Sequence, residues 1–430
     1  MIEPKLFHFV NHYYDQPLIV ERAKDCWIFD SNGRKFLDGY SGVASISVGH
    51  ANPFVNKAVC EQIELVNHCP MIYQSKPLLK YLNVLQKELP ENLNRHFFVN
   101  SGSEAIDFAC QALRTFSNKP LIIAFSEGFH GGTFQAKSVT GLDAWQPIFG
   151  KDENVFFQPI SPCKKCPEKI YKKNLENLKG VDIECTAGCL MDLDKFLEEN
   201  SQNCAGIIIE PILGVGGIIL PMKGFFQKLD LICRKYKIPL IVDEVQTGFG
   251  RCGSSLFAFQ KFGLHPDILC MAKGIANGFP MGLVSASEEI SMAMGKKLNF
   301  STFGGNPVSC VAATYTLKYI LEKNLLQNSE EIGKFLQSEL EKKLSVFPFF
   351  REIRGCGLII GIEVETGDLA KNILISAYKK DLLIGIGGRN RNVLRIEPSL
   401  TFSKDMAEML IEIIVNSFQE QANLVSEGKK

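Results

Sequence analysis

Leu240-Ile241-Val242-Asp243-Glu244-Val245-Gln246-Thr247-Gly248 runs a short apolar strand straight into two acids. Consecutive aliphatic residues without alternation mark a strand buried on both faces, as in a parallel sheet. The same texture recurs at Phe97-Phe98-Val99, Leu121-Ile122-Ile123-Ala124-Phe125, Ile207-Ile208-Ile209 and Ile268-Leu269-Cys270. Segments of helical period lie between them, for example the stripe Ile106, Ala109, Cys110 and Leu113. Strands alternating with helices predict an α/β domain with a mostly parallel sheet.

Polar residues stand where these strands stop: Asn100-Ser101-Gly102, Glu210-Pro211, Asp243-Glu244 and Lys273-Gly274. Open α/β sheets bind ligands at the carboxyl ends of their strands. Asn100-Ser101-Gly102-Ser103-Glu104-Ala105 opens a helix after a strand, and the N–H groups at a helix start bind anions such as phosphate. The same residues also make an ordinary helix cap. Asp243 follows three aliphatic residues, so its carboxylate is partly desolvated and needs a cationic partner. A protonated pyridine nitrogen or a structural salt bridge would serve. Lys273 ends the apolar strand Ile268-Leu269-Cys270-Met271. It reads either as an amine whose pKa is lowered into nucleophilic range or as a lysine reaching for solvent. A phosphate cradle, an acid and an amine at neighbouring strand ends are together what pyridoxal 5′-phosphate requires.

The wider composition bounds the function. The chain has 430 residues, 46% hydrophobic and 22% charged, with formal net charge zero. A neutral chain lacks the field that draws nucleic acid or anionic membrane. Met1-Ile2-Glu3-Pro4-Lys5 lacks the layout of a secretory signal, and the most apolar stretch, Cys204 to Pro221, is interrupted by Glu210 and glycines. A soluble cytoplasmic protein with mostly reduced cysteines is expected. Beyond about residue 320 the texture changes to that of a smaller α+β unit. Short strands, Trp27-Ile28-Phe29 and Lys35-Phe36-Leu37, flank a turn at Asn32-Gly33 near the start.

From about Tyr13 to Thr401 the chain resembles the class III (subgroup II) aminotransferases of PLP fold type I. The motifs that carry the resemblance are NSGSEA (100–105), GFHGGT (128–133), DEVQTGFGR (243–251), AKGIANGFPMG (272–282) and TFGGNP (302–307). The resemblance implies a large domain with a mostly parallel seven-stranded sheet and a smaller α+β domain built from both termini. Residues 1–60 and 316–430 would form the small domain. Residues 61–315 would form the large one, with a cysteine-containing excursion at 160–190. It implies a homodimeric, PLP-dependent transaminase working by a ping-pong exchange through pyridoxamine phosphate. Lys273 would bond to the cofactor aldehyde, Asp243 would pair with the ring nitrogen, and Gln246 would contact the ring's 3-oxygen. Ser101, Gly102 and Ser103 would hold the phosphate. Phe129 would stack on the ring with His130 beside it, and Glu210 would complete the cofactor contacts. Thr302 would reach the phosphate in the neighbouring subunit.

Within that resemblance, Arg395 in Val393-Leu394-Arg395-Ile396-Glu397-Pro398 matches the arginine that grips a substrate carboxylate, a role its planar fork suits. Where ornithine and 4-aminobutyrate aminotransferases often carry a glutamate that masks this arginine, this chain has Val215, as in the alanine–glyoxylate aminotransferase 2-like branch. A small keto acid acceptor (pyruvate, glyoxylate or 2-oxoglutarate) follows, with an amino acid or ω-amino acid as donor. The alternatives on this fold are a lyase or aminomutase, for example one acting on a phosphorylated amino alcohol, and a non-catalytic protein.

Two patterns stand apart. Cys163, Cys166, Cys185 and Cys189 have a spacing that resembles a zinc ribbon or an iron–sulfur site, or they are thiols without metal. Gly248-Phe249-Gly250-Arg251-Cys252-Gly253 fits G-x-G-x-x-G, but a dinucleotide fingerprint puts its first glycine directly after the strand. Here Asp243 to Thr247 intervene, so no dinucleotide site is expected.

Overall fold

The computed structural model describes residues 13–14, 18–160, 190–222 and 224–427. Three sheets organise them. The central sheet has seven strands in the order β4-β10-β9-β8-β7-β5-β6: β4 (Arg95–Val99), β5 (Leu121–Phe125), β6 (Val155–Gln158), β7 (Cys204–Ile209), β8 (Leu240–Asp243), β9 (Ile268–Met271) and β10 (Gly282–Ala286). The run β9-β8-β7-β5-β6 is parallel throughout, and β10 is antiparallel to both of its neighbours. Every residue of β7, β8 and β9 is buried, as their unbroken apolar runs predict. The strands β6 and β10 were not read from sequence.

Helix Gly102–Ser117 shows how the layers close. Ala105, Ile106, Ala109, Cys110, Ala112 and Leu113 are buried on one face, the spacing of a single helical stripe. Burying a side chain such as Ile106 or Leu113 contributes roughly 1.5–3 kcal/mol. Ser101 caps the helix, its Oγ accepting from Glu104 N at 3.2 Å.

A second sheet, in the order β11-β12-β15-β14, comprises β11 (Phe350–Cys356), β12 (Ile359–Val364), β14 (Gly385–Gly387) and β15 (Val393–Ile396). A third holds β1 (Val20–Lys24), β2 (Trp27–Asp30), β3 (Lys35–Asp38) and β13 (Leu382–Leu383). Its parallel β3–β13 pairing, Leu37 opposite Leu382, joins the two ends of the chain. Helix Pro307–Glu322 is continuous across residues 315 and 316. Among the described residues no helix is long and apolar enough to cross a membrane. Cys163, Cys166, Cys185 and Cys189 lie outside the described residues. Within those residues no group of three or more His, Cys, Asp or Glu is placed to hold a metal ion.

Candidate active site

Because β8 and β9 are parallel and in register, with Asp243 opposite Cys270, their ends open on the same side. Ser101, Gly102, Ser103, Phe129, His130, Glu210, Asp243, Gln246 and Lys273 line one cavity of about 280 Å³ there. Ser45 and the Gly278–Met281 segment complete it.

Lys273 is placed two residues past β9 by an unusual backbone. Ala272 is extended (φ −164°) and Lys273 has φ +46°, a left-handed conformation that costs a non-glycine residue on the order of 1–3 kcal/mol. Among the described residues its amine has no hydrogen-bond acceptor. Burial lowers its pKa, and the Arg395 guanidinium lowers it further, while Glu397, Asp243 and Glu210 partly offset both. The result is an amine poised for nucleophilic chemistry.

Asp243 is fixed on both oxygens. Val245 N donates to Oδ1 at 3.0 Å, and His130 Nδ1 meets Oδ2 at 2.7 Å. His130 is held in turn by its backbone N–H to Thr140 Oγ1 at 2.9 Å. Its Nε2 is buried beside Gly128 with no hydrogen-bond partner among the described residues. Glu210 is buried and accepts from Phe129 N at 2.8 Å and Gly214 N at 3.0 Å, pinning two loops. Burial raises its carboxyl to about 7 against the pull of His130. Phe129 packs edge-on against Trp145, with ring centroids 5.0 Å apart.

The cavity suits pyridoxal phosphate in its donor set. The first amides of a helix have no intrahelical acceptor, so Gly102 and Ser103 offer N–H groups to a phosphate. Ser103 Oγ takes Gly132 N at 2.9 Å, and a Cβ on Gly131 would lie 2.9 Å from Ser103 Cα, so the cradle admits only glycine there. The buried Asp243 carboxylate, braced by His130, and the free amine of Lys273 supply the remaining groups.

Arg395 lies on β15 with both terminal nitrogens engaged. Its Nη2 donates to Glu397 Oε1 at 2.9 Å and Oε2 at 3.1 Å, and its Nη1 donates to Tyr40 Oη at 3.1 Å. Gln246 Nε2 donates to the same Glu397 at 2.7 Å, so one amide hydrogen of Gln246 is committed away from the cavity. The glycines of β14 allow this: a Cβ on Gly387 would stand 2.6 Å from Arg395 Cδ, and one on Gly385 would run into the Tyr40 ring. An acid therefore does pair with Arg395, although position 215 is valine. The signal was available in the sequence. Residues i and i+2 of a strand share a face, which puts Glu397 beside Arg395.

Arg389 was also missed. It lies between β14 and β15 and donates to Glu127 Oε1 (2.8 Å), Ser126 O (2.7 Å), Asp143 Oδ2 (3.0 Å) and Gly141 O (3.1 Å). These acceptors flank the loop that carries Phe129 and His130. Arg389→Ala is expected to weaken retention of pyridoxal phosphate by roughly 10-fold, the worth of one charge-assisted hydrogen bond. Dialysis against buffer with absorbance monitoring checks this, and wild-type retention would refute the clamp. Thr302, by contrast, is exposed and does not line the cavity.

The family described as Aminotransferase class-III matches residues 9–418. The chain belongs to that family. As a class-III aminotransferase it is a PLP-dependent transaminase of fold type I. It is 33% identical over 435 residues to alanine–glyoxylate aminotransferase 2, mitochondrial, of Homo sapiens, covering 94% of this chain and 82% of that protein. It is 32% identical over 414 residues to acetylornithine aminotransferase of Methanothermobacter thermautotrophicus, covering 96% and 97%. A solved phospholyase from Arthrobacter in complex with phosphoethanolamine superposes with TM-score 0.85 at 27% identity, covering 96% of both chains.

Proposed function

We propose that this class-III aminotransferase moves an amino group from an amino acid or ω-amino acid to a small keto acid (pyruvate, glyoxylate or 2-oxoglutarate) in a two-stage exchange. The observation that carries the reading is the pairing, in one cavity, of an unpartnered amine at Lys273 with a carboxylate at Asp243 braced by His130. Bound there, pyridoxal phosphate would supply an aldehyde for amine exchange and a ring that takes up carbanion charge. Gly102 and Ser103 hold its phosphate by backbone N–H groups. Asp243 keeps the ring nitrogen protonated. Lys273 would hold the cofactor through its amine, and with that amine released by a substrate amine its Nζ would be the group placed to move a proton. Gln246 retains one amide hydrogen for the ring's 3-oxygen.

The test is a half-reaction. An amino donor alone should convert the cofactor to its amine form, seen as loss of visible absorbance, and a keto acid should restore the band. A lyase acting on a phosphorylated amino alcohol, the reaction class suggested by the phospholyase likeness, would turn over without accumulating the amine form.

Glu397 governs donor choice in this reading. While it occupies the Arg395 fork, the cavity favours donors without a carboxylate on the reacting carbon. An α-keto acid must displace it to bind Arg395. Glu397→Gln keeps the shape and removes the competing charge. It should raise the kcat/KM ratio of α-amino over ω-amino donors by roughly 10- to 100-fold. An unchanged ratio would refute this gate.

Thr302 serves the phosphate of a second copy, which makes the working unit a homodimer. The exposed Leu298, Phe300 and Phe303 beside it supply an apolar patch of the kind such contacts cover. The two termini form a smaller domain around the β3–β13 pairing, with residues 61–315 as the larger one.

A further inference from the structure

The glycine-rich loop after β8 and the tight turn between β11 and β12 meet backbone to backbone. A Cβ on Gly357 would lie 2.5 Å from Arg251 O and 2.5 Å from Gly253 N, and Leu358 N donates to Arg251 O at 2.9 Å. Arg251, which is buried, donates from Nη1 to Leu358 O at 3.1 Å and also to Pro398 O. One cysteine stands on each side of this seam, Cys252 in the loop and Cys356 at the end of β11.

The two residues pack in one cluster across the seam. Cys356 Sγ also donates to the Cys252 carbonyl at 3.1 Å. They share a small apolar cluster with Ile212, Ile218, Ala258 and Ile359, apart from the main core. Lys261 Nζ donates to that same carbonyl at 3.0 Å and pairs with Glu330 at 2.7 Å, which brings its ammonium to the Cys252–Cys356 seam. The Lys261 and Glu330 side chains are partly exposed, so the seam reaches solvent beside the thiols. Neither cysteine lines the Lys273 cavity.

Packing alone does not account for this arrangement. Burial pushes the Cys110 thiol up to about 12, the behaviour of a cysteine used as a small hydrophobe. Cys356 moves the other way, down to about 7, under the influence of the neighbouring Cys252 side chain and then the Lys261 ammonium. An ammonium beside a thiol pair is the setting in which one sulfur is reactive and the other resolves it.

We propose that Cys252 and Cys356 form an oxidation site, a thiol pair that hydrogen peroxide converts to a disulfide across the seam. The Cys356 sulfur attacks the peroxide oxygen and breaks the O–O bond, giving a sulfenic acid and one water. The Cys252 sulfur then attacks the sulfenic sulfur, and the hydroxyl leaves with the Cys252 proton as a second water. Two thiols are oxidised by two electrons and one hydrogen peroxide is reduced to two waters. Because β11 pairs with β12, and β12 pairs with β15 through Gly361 and Arg395, the new bond ties the sheet that carries Arg395 to the loop following Asp243.

Peptide mapping of the holoenzyme after hydrogen peroxide tests the site. The expected result is a cross-linked pair of peptides containing Cys252 and Cys356, lighter by two hydrogens and separated by dithiothreitol. Cys252→Ser should abolish the cross-link and leave Cys356 to accumulate as sulfinic acid. The proposal is overturned if both cysteines stay reduced at peroxide levels that oxidise the exposed Cys60. It is equally overturned if wild-type Cys356 is over-oxidised without a cross-link, or if either cysteine bridges to any other thiol. The wild-type map decides the matter even if a variant folds poorly.

Discussion

Lys273→Ala is expected to abolish the visible band of the lysine-bound cofactor and to lower transamination by roughly 10⁴-fold or more. Two functions disappear together. The covalent hold on the cofactor aldehyde is lost, and so is the only free amine that faces the cavity among the described residues. Added pyridoxal phosphate would still occupy the cradle at Gly102 and Ser103, so binding seen by fluorescence should survive while the band does not. A persisting band would refute the central assignment. The backbone adds an independent check. With φ +46° at position 273, alanine inherits the strain and glycine relieves it, so Lys273→Gly should be more stable than Lys273→Ala by about 1 kcal/mol. Thermal melts of the two variants measure this without reference to activity.

Asp243→Asn should cost on the order of 10²–10³-fold in kcat. The substitution conserves shape, and an amide oxygen still accepts from Val245 N. What it removes is the negative charge that keeps a ring nitrogen protonated in a buried setting. That charge matters because the site is desolvated: an uncompensated pyridinium there would lose its proton. The diagnostic readout is the pH midpoint of the cofactor's visible absorbance, which should move in Asp243→Asn while the melting temperature changes little. A near-wild-type kcat with an unmoved midpoint would sink the role. His130→Ala should give a smaller loss, because it withdraws only the brace on Asp243 Oδ2.

How much of this was legible before any coordinates depended on how local the signal was. The strand from Leu240 to Asp243 and the one ending before Lys273 announce themselves, since a strand buried on both faces leaves an unbroken apolar run. The helix opening at Gly102 is equally local: a serine cap, a glycine and a stripe at helical spacing. Strand β10, Gly282 to Ala286, was missed because a short run holding Ser285 looks like neither a core strand nor a helix, and antiparallel pairing is invisible in a single segment. Arg395 was read as a candidate carboxylate binder with no masking acid at position 215, yet an acid that pairs with it, Glu397, lies two residues on, just past the end of β15.

By itself the sequence determined which residues stand at strand ends, and through its motifs which family and cofactor those ends serve. It did so because backbone periodicity and helix capping depend on neighbours along the chain. Only the tertiary structure decided that His130 braces Asp243, that Glu397, beside Arg395, also holds Gln246, that Arg389 clamps the loop bearing Phe129, and that Cys252 meets Cys356. Each of these pairings except Arg395 with Glu397 joins residues more than 100 positions apart. Their energies depend on burial and on distances set when separate layers pack, and no local pattern encodes those.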